Sequence, residues 1–65
     1  MTAAAIVAIR ERAHLSQAAL ARHLGVSAHT VANWEQGLRR PGGPAILMLE
    51  VIAREAGKPA KGRKS

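Results

Sequence analysis

No cysteine, phenylalanine or tyrosine occurs in the 65 residues of this chain, and tryptophan occurs once. The lack of cysteine excludes a disulfide framework and thiolate zinc sites, and it fits a reducing, cytoplasmic setting. With a single aromatic ring available, the core has to be aliphatic. Acidic residues are sparse too: four Glu are spread along the chain and Asp is absent, so no carboxylate pair forms. No Ser–His–Asp set and no phosphate-cradling glycine loop is present either, so the chain is not expected to be an enzyme. His14, His23 and His29 fall on separate segments without paired acids, and neither a metal nor any other cofactor is expected. No apolar run approaches the roughly 18 residues of a membrane span. The apolar start MTAAAIVAI lacks a basic leader and meets Arg10, Glu11 and Arg12 too early for a signal peptide.

What is present is short and basic. The length allows one domain, with a core too small to enclose a pocket for a small-molecule substrate. Of the net charge of +6, four positive charges come from Lys58, Lys61, Arg63 and Lys64 with no acid among them. The expected organisation is therefore a folded domain over residues 1–57 and a basic, disordered tail over 58–65. Such a tail either solubilises the domain or reaches a polyanion.

Caps and periodicity give an all-α chain of four helices. Thr2 caps the first, with Ile6, Ile9 and Ala13 on one stripe. Ser16 caps the second, where Leu20 and Leu24 lie one turn apart and Gly25 provides the stop. Val26 tucks inward, and Ser27 caps a third helix over 27–36 whose Val31 and Trp34 face the core. Gly37 ends it, and LRRPGG forms a loop. Pro44 suits the first position of a fourth helix that runs to Gly57. Only Gly25 and Val26 separate the second helix from the cap of the third, and a Gly there can take positive φ and turn the chain sharply. Two short helices joined so tightly form a helix-turn-helix.

The run LSQAALARHLGVSAHTVANWEQGLRRPGGPA resembles the Cro and phage-repressor type of helix-turn-helix, also called the XRE family. The matching pieces are LSQ at the second helix, LGVS at the turn, TVANWEQG for the recognition helix and RRP after it, within a resemblance covering residues 6 to 56. Its WEQG–RRP–GPA ending is most similar to small stand-alone regulators and antitoxins of the HigA and MqsA kind. The resemblance implies a compact, phage-repressor-like fold and a phosphate contact from Gln17. It also implies an Arg10–Glu35 ion pair, expected here as an exposed positioning contact contributing about 0–1 kcal/mol. Three positions depart from the pattern. Ala19 leaves the capping box half made, Gly42 is a weaker cap than Ser or Thr, and His14 has to tolerate left-handed backbone.

Helical geometry adds a reading face. At about 100° per residue from Val31, His29 and Asn33 point away from the core along one line. The small Ala28 and Ala32 flank them, which suits entry into a major groove about 12 Å wide. Asn33 can pair with adenine N7 and N6, His29 can donate to guanine, and Ala28 can meet a thymine methyl. Ala28, His29, Ala32 and Asn33 are thus the candidate base contacts. Candidate phosphate contacts are Gln17, Arg22, Ser27, Thr30, Gln36, Arg39 and Arg40, with Ser27 and Thr30 near the helix N-terminus where free N–H groups favour an anion. Trp34 is assigned to the core.

On the fourth helix Ala45, Met48, Leu49, Ile52 and Ala56 share the inward face, while Leu47 and Val51 point the other way. Leu47 and Val51 are therefore the candidate homodimer interface, as binding to a palindromic operator requires. The expected function is sequence-specific binding of double-stranded DNA by a transcriptional regulator, a repressor by preference. The alternative is an antitoxin that binds a cognate toxin and represses its own operon. A protein-binding helical adaptor is a third class, and a membrane surface is disfavoured because the fourth helix carries both signs of charge without a basic cluster.

Overall fold

The computed structural model describes residues 1–57; the basic tail expected over 58–65 lies outside the described residues. Helices α1 (Ala3–Arg12), α2 (Gln17–Leu24), α3 (Ala28–Glu35) and α4 (Gly43–Gly57) follow one another, with no strand among the described residues. No described helix is long and apolar enough to cross a membrane.

Each of the first three helices begins on a hydroxyl. Thr2 Oγ1 accepts from Ala5 N–H at 3.0 Å, Ser16 Oγ from Ala19 N–H at 3.0 Å and Ser27 Oγ from Thr30 N–H at 3.1 Å. One orphan donor is satisfied at each start, worth about 1 kcal/mol apiece. The exits depend on left-handed backbone. Gly25 has φ +73° and its N–H reaches back to the carbonyls of Ala21 and Arg22, so α2 stops within one residue. His14 adopts φ +58°, the geometry its departure from the family pattern demanded. The fourth helix begins at Gly43, so Pro44 is its second residue rather than its first. A proline is still tolerated there, because the first turn's N–H groups have no helical partner.

Ile6, Leu20, Ala21, Val31, Trp34 and Leu49 form the buried core, supported at its edge by Ile9, Leu15, Leu24, Val26, Ala45 and Ile52. Helix α3 packs on α2 and α1, and α4 closes the other side of α1 and α2. All four helices thus contribute to one aliphatic centre, with Trp34 as its only ring. The inward face of α4 is narrower than the sequence implies. Met48, expected inside, is 43% exposed. Leu49 already fills the central position at 0% exposure, and the flexible thioether next to it is displaced to the rim.

Candidate nucleic-acid interface

Helix α3 is fixed in direction by Val31 and Trp34, which are 0% and 5% exposed. Its opposite side is the free one. Ala28 and His29 are exposed there, and Thr30, Ala32 and Asn33 are half-buried. The short turn at Gly25–Val26 puts this side at the front of the α2–α3 pair, where no other described helix covers it.

The segment after α3 folds back on that face. The Asn33 carbonyl accepts from the N–H of Leu38 at 2.9 Å and of Arg39 at 3.3 Å, a closure made possible by Gly37 at φ +79°. Pro41 is buried and anchors the far end of the loop. Arg39 and Arg40 are therefore held beside the helix rather than trailing from it. His29, Thr30, Asn33, Arg39 and Arg40, with the edge of Trp34, line one polar depression of about 420 Å³. Two candidate base readers and three candidate phosphate contacts are thus gathered on one concave surface. Gln36 caps the C-terminus of α3 and is exposed, and Arg22 is exposed on the outer side of α2.

At the N-terminus of α3 the hydroxyls of Ser27 and Thr30 are 2.9 Å apart. Either can donate to the other, so one hydroxyl proton remains for an outside acceptor such as a phosphate oxygen.

The α1–α3 contact is stronger than an exposed pair. Arg10 Nε donates to Glu35 Oε2 at 2.6 Å and a terminal nitrogen to Oε1 at 3.2 Å, while its other terminal nitrogen donates to the Leu15 carbonyl at 3.0 Å. The Glu35 side chain is only 7% exposed and that of Arg10 19%. The fork geometry is bidentate, and such charge-assisted bonds are roughly twice as strong as neutral ones. Burial by itself raises the Glu35 pKa, but the hydrogen bonds from Arg10 and Gln17 and the Arg10 charge outweigh it, so the carboxyl lies below its ordinary range. The hydrogen bond to Glu35 raises the Arg10 pKa against a smaller opposing effect of burial.

Gln17 is the third member of this cluster. Its carboxamide nitrogen donates to Glu35 Oε1 at 2.9 Å, a tie between the start of α2 and the end of α3 that the sequence reading lacks. A Gln amide carries two N–H donors. The second, together with the backbone N–H at the first position of α2, is left for the phosphate contact expected of Gln17. The signal for this cluster was helical position: Arg10, Gln17 and Glu35 each lie one turn from a core residue, namely Ile6, Leu20 and Val31.

The candidate dimer residues lie away from this face. Leu47 is 65% and Val51 41% exposed. Val51 joins Met48, Ile52, Leu15 and Ala13 along an apolar groove between α4 and the α1–α2 junction, whereas Leu47 stands outside that groove.

Comparison with known proteins bears on the family. A family model described as a helix-turn-helix domain matches residues 3–57. The chain is also similar to antitoxin HigA-2 of Vibrio cholerae serotype O1, 43% identical over 49 residues, which are 75% of this chain and 47% of that protein. The chain thus spans about half the length of that relative. No solved structure matches it.

Proposed function

This chain belongs to the XRE-type helix-turn-helix family of DNA-binding domains, and we propose that it is a sequence-specific transcriptional regulator that inserts α3 into the major groove. The observation that carries the reading is the shared depression. The outward face of α3 and two loop arginines open onto the same surface, so base edges and the adjoining backbone can be met together. Asn33 and His29 read base edges, with Ala28 and Ala32 leaving room for close approach. Arg39, Arg40, Gln17, Ser27, Thr30, Gln36 and Arg22 hold phosphates. Asn33→Ala is expected to cost about 1–3 kcal/mol at its cognate base pair and to relax preference at that position alone. Competition binding against single-base variants of a selected duplex checks it; an unchanged preference would mean that another face reads the bases.

The regulator works as a homodimer on two half-sites about 10 base pairs, or a multiple of that, apart. Support comes from the exposed Leu47 and Val51, one helical turn apart, beside the exposed Met48. Leu47→Glu is expected to abolish cooperative binding to a two-half-site duplex while a single half-site is bound as before. Equilibrium sedimentation and titration of the two duplexes measure this, and an unaltered self-association constant removes Leu47 from the interface.

Antitoxin activity is the second reading, favoured by the likeness to antitoxin HigA-2. In that case the same domain represses its own operon and a further surface binds a toxin. Expression together with the neighbouring small reading frame distinguishes the two: a stable co-purifying complex supports the antitoxin, and independent migration of both proteins supports the stand-alone regulator.

A further inference from the structure

Trp34 is a core residue with one feature that packing leaves unused. At 5% exposure it is the least covered member of the core but still buried, and an indole N–H in such a place normally has a partner. The Trp34 carbonyl accepts from Gly37 N–H at 3.1 Å, but its side chain makes no hydrogen bond or other polar contact among the described residues. Nor is the nitrogen sealed inside, because among the described residues no buried side-chain nitrogen or oxygen is left without a partner. The indole N–H therefore reaches the surface. Trp34 contributes to two surface depressions, one with His29, Thr30 and Asn33 and one with Thr2, Ile6 and Pro41. The residues the two share are Trp34, Arg39 and Arg40.

We infer that Trp34, Arg39 and Arg40 form one phosphate site, in which the indole Nε1–H donates to a phosphodiester oxygen of the strand whose bases face Asn33. The inference rests on the duplex-binding reading and names a contact that reading does not contain. Two guanidinium groups supply charge, and loop closure through the Asn33 carbonyl keeps Arg39 near the helix. Flexible arginines alone leave the position of the phosphate loose. A neutral donor fixed by a buried ring sets it, because the indole cannot move without disturbing Val31 and Leu49 in the same core. The bulk of Trp34 sets the direction of α3, and its single polar atom then registers that helix against the backbone. Stacking on a base is excluded, since a residue only 5% exposed has no open ring face to offer.

The chain has one tryptophan and is short enough for chemical synthesis. Replacing that residue by benzothienylalanine exchanges the N–H for sulfur at nearly constant shape. The melting midpoint reports that the fold is kept. The analogue is expected to bind both a library-selected duplex and an unrelated duplex of equal length about tenfold more weakly. Its salt dependence is expected to match the parent's, because a neutral donor releases no counterion. Arg40→Ala is expected to differ by flattening that dependence by about one unit. In the unmodified protein the single indole proton resonance is expected to move downfield when the selected duplex is added. Equal affinity of analogue and parent, or an indole resonance unmoved in the complex, overturns the inference even while parent binding upholds the duplex reading. A parent that binds neither duplex overturns both. Because the resonance is read on the natural chain, an analogue that failed to fold would leave that test decisive.

Discussion

Leu49→Ala is expected to abolish the cooperative thermal transition, or nearly so. Leu49 is fully buried on α4, the helix that closes the side of α1 and α2 away from the reading face. Truncating such a leucine costs about 2–5 kcal/mol, the transfer of the lost atoms plus the cavity they leave. A single aliphatic core of this size rarely supplies more than about 3–5 kcal/mol in total. One cavity therefore rivals the whole stability of the domain. Leu49→Met, which nearly conserves volume, is expected to cost less than about 1.5 kcal/mol. Thermal melting followed by far-ultraviolet circular dichroism checks both. A saturating selected duplex should restore part of the Leu49→Ala fold, since a ligand that binds only the folded state stabilises it. A melting midpoint for Leu49→Ala within a few degrees of the parent would show that α4 is not structurally required.

The second large effect is expected at Glu35. Glu35→Gln keeps the shape but removes the charge that answers Arg10, and hydrogen bonds to charged groups contribute about 1.5–3 kcal/mol. A loss of that order is expected at neutral pH. The direction of the carboxyl shift fixes how it varies with pH. A folded-state pKa held below the unfolded value gives stability that is present above the unfolded value and lost as pH falls through the folded one. The gap between parent and Glu35→Gln should be full at neutral pH, narrow below the ordinary carboxylate range and close in stronger acid. Urea titrations over that range measure it. A gap independent of pH would mean that the glutamate acts by packing. Binding should suffer as well, because Glu35 holds both Arg10 and the Gln17 amide, the proposed phosphate contact.

Much of the architecture is local chemistry and could be read without coordinates. Hydroxyls at Thr2, Ser16 and Ser27 announce helix starts, and Gly25 announces the turn, because few other residues adopt its backbone. Val31 and Trp34 then orient α3, and His29 and Asn33 follow as its outer side. Tertiary facts were harder. Glu35 lies one turn from Val31 and so near the buried stripe, but its type argued for water, and only packing of α1 across the end of α3 settles that conflict. Gln17 reads equally well as a phosphate contact or as an internal tie, and its two N–H groups permit both. Met48 and Leu49 are adjacent apolar residues on the inward side of α4, and which of them is central depends on where α1 and α2 meet it. Pro41 reads as a loop breaker, yet it is buried and holds the loop in place. The indole N–H of Trp34, without a partner among the described residues, has no signature in sequence at all.

Sequence-specific reading of duplex DNA by α3, as proposed, rests on one measurement above the others. Selection of bound duplexes from a random library by the full chain, at physiological salt, tests it most directly. Convergence on one short motif, recovered as two inverted half-sites about one helical turn or a multiple apart, is the predicted result. A recovered pool that stays random, with retention only at very low salt, would contradict it.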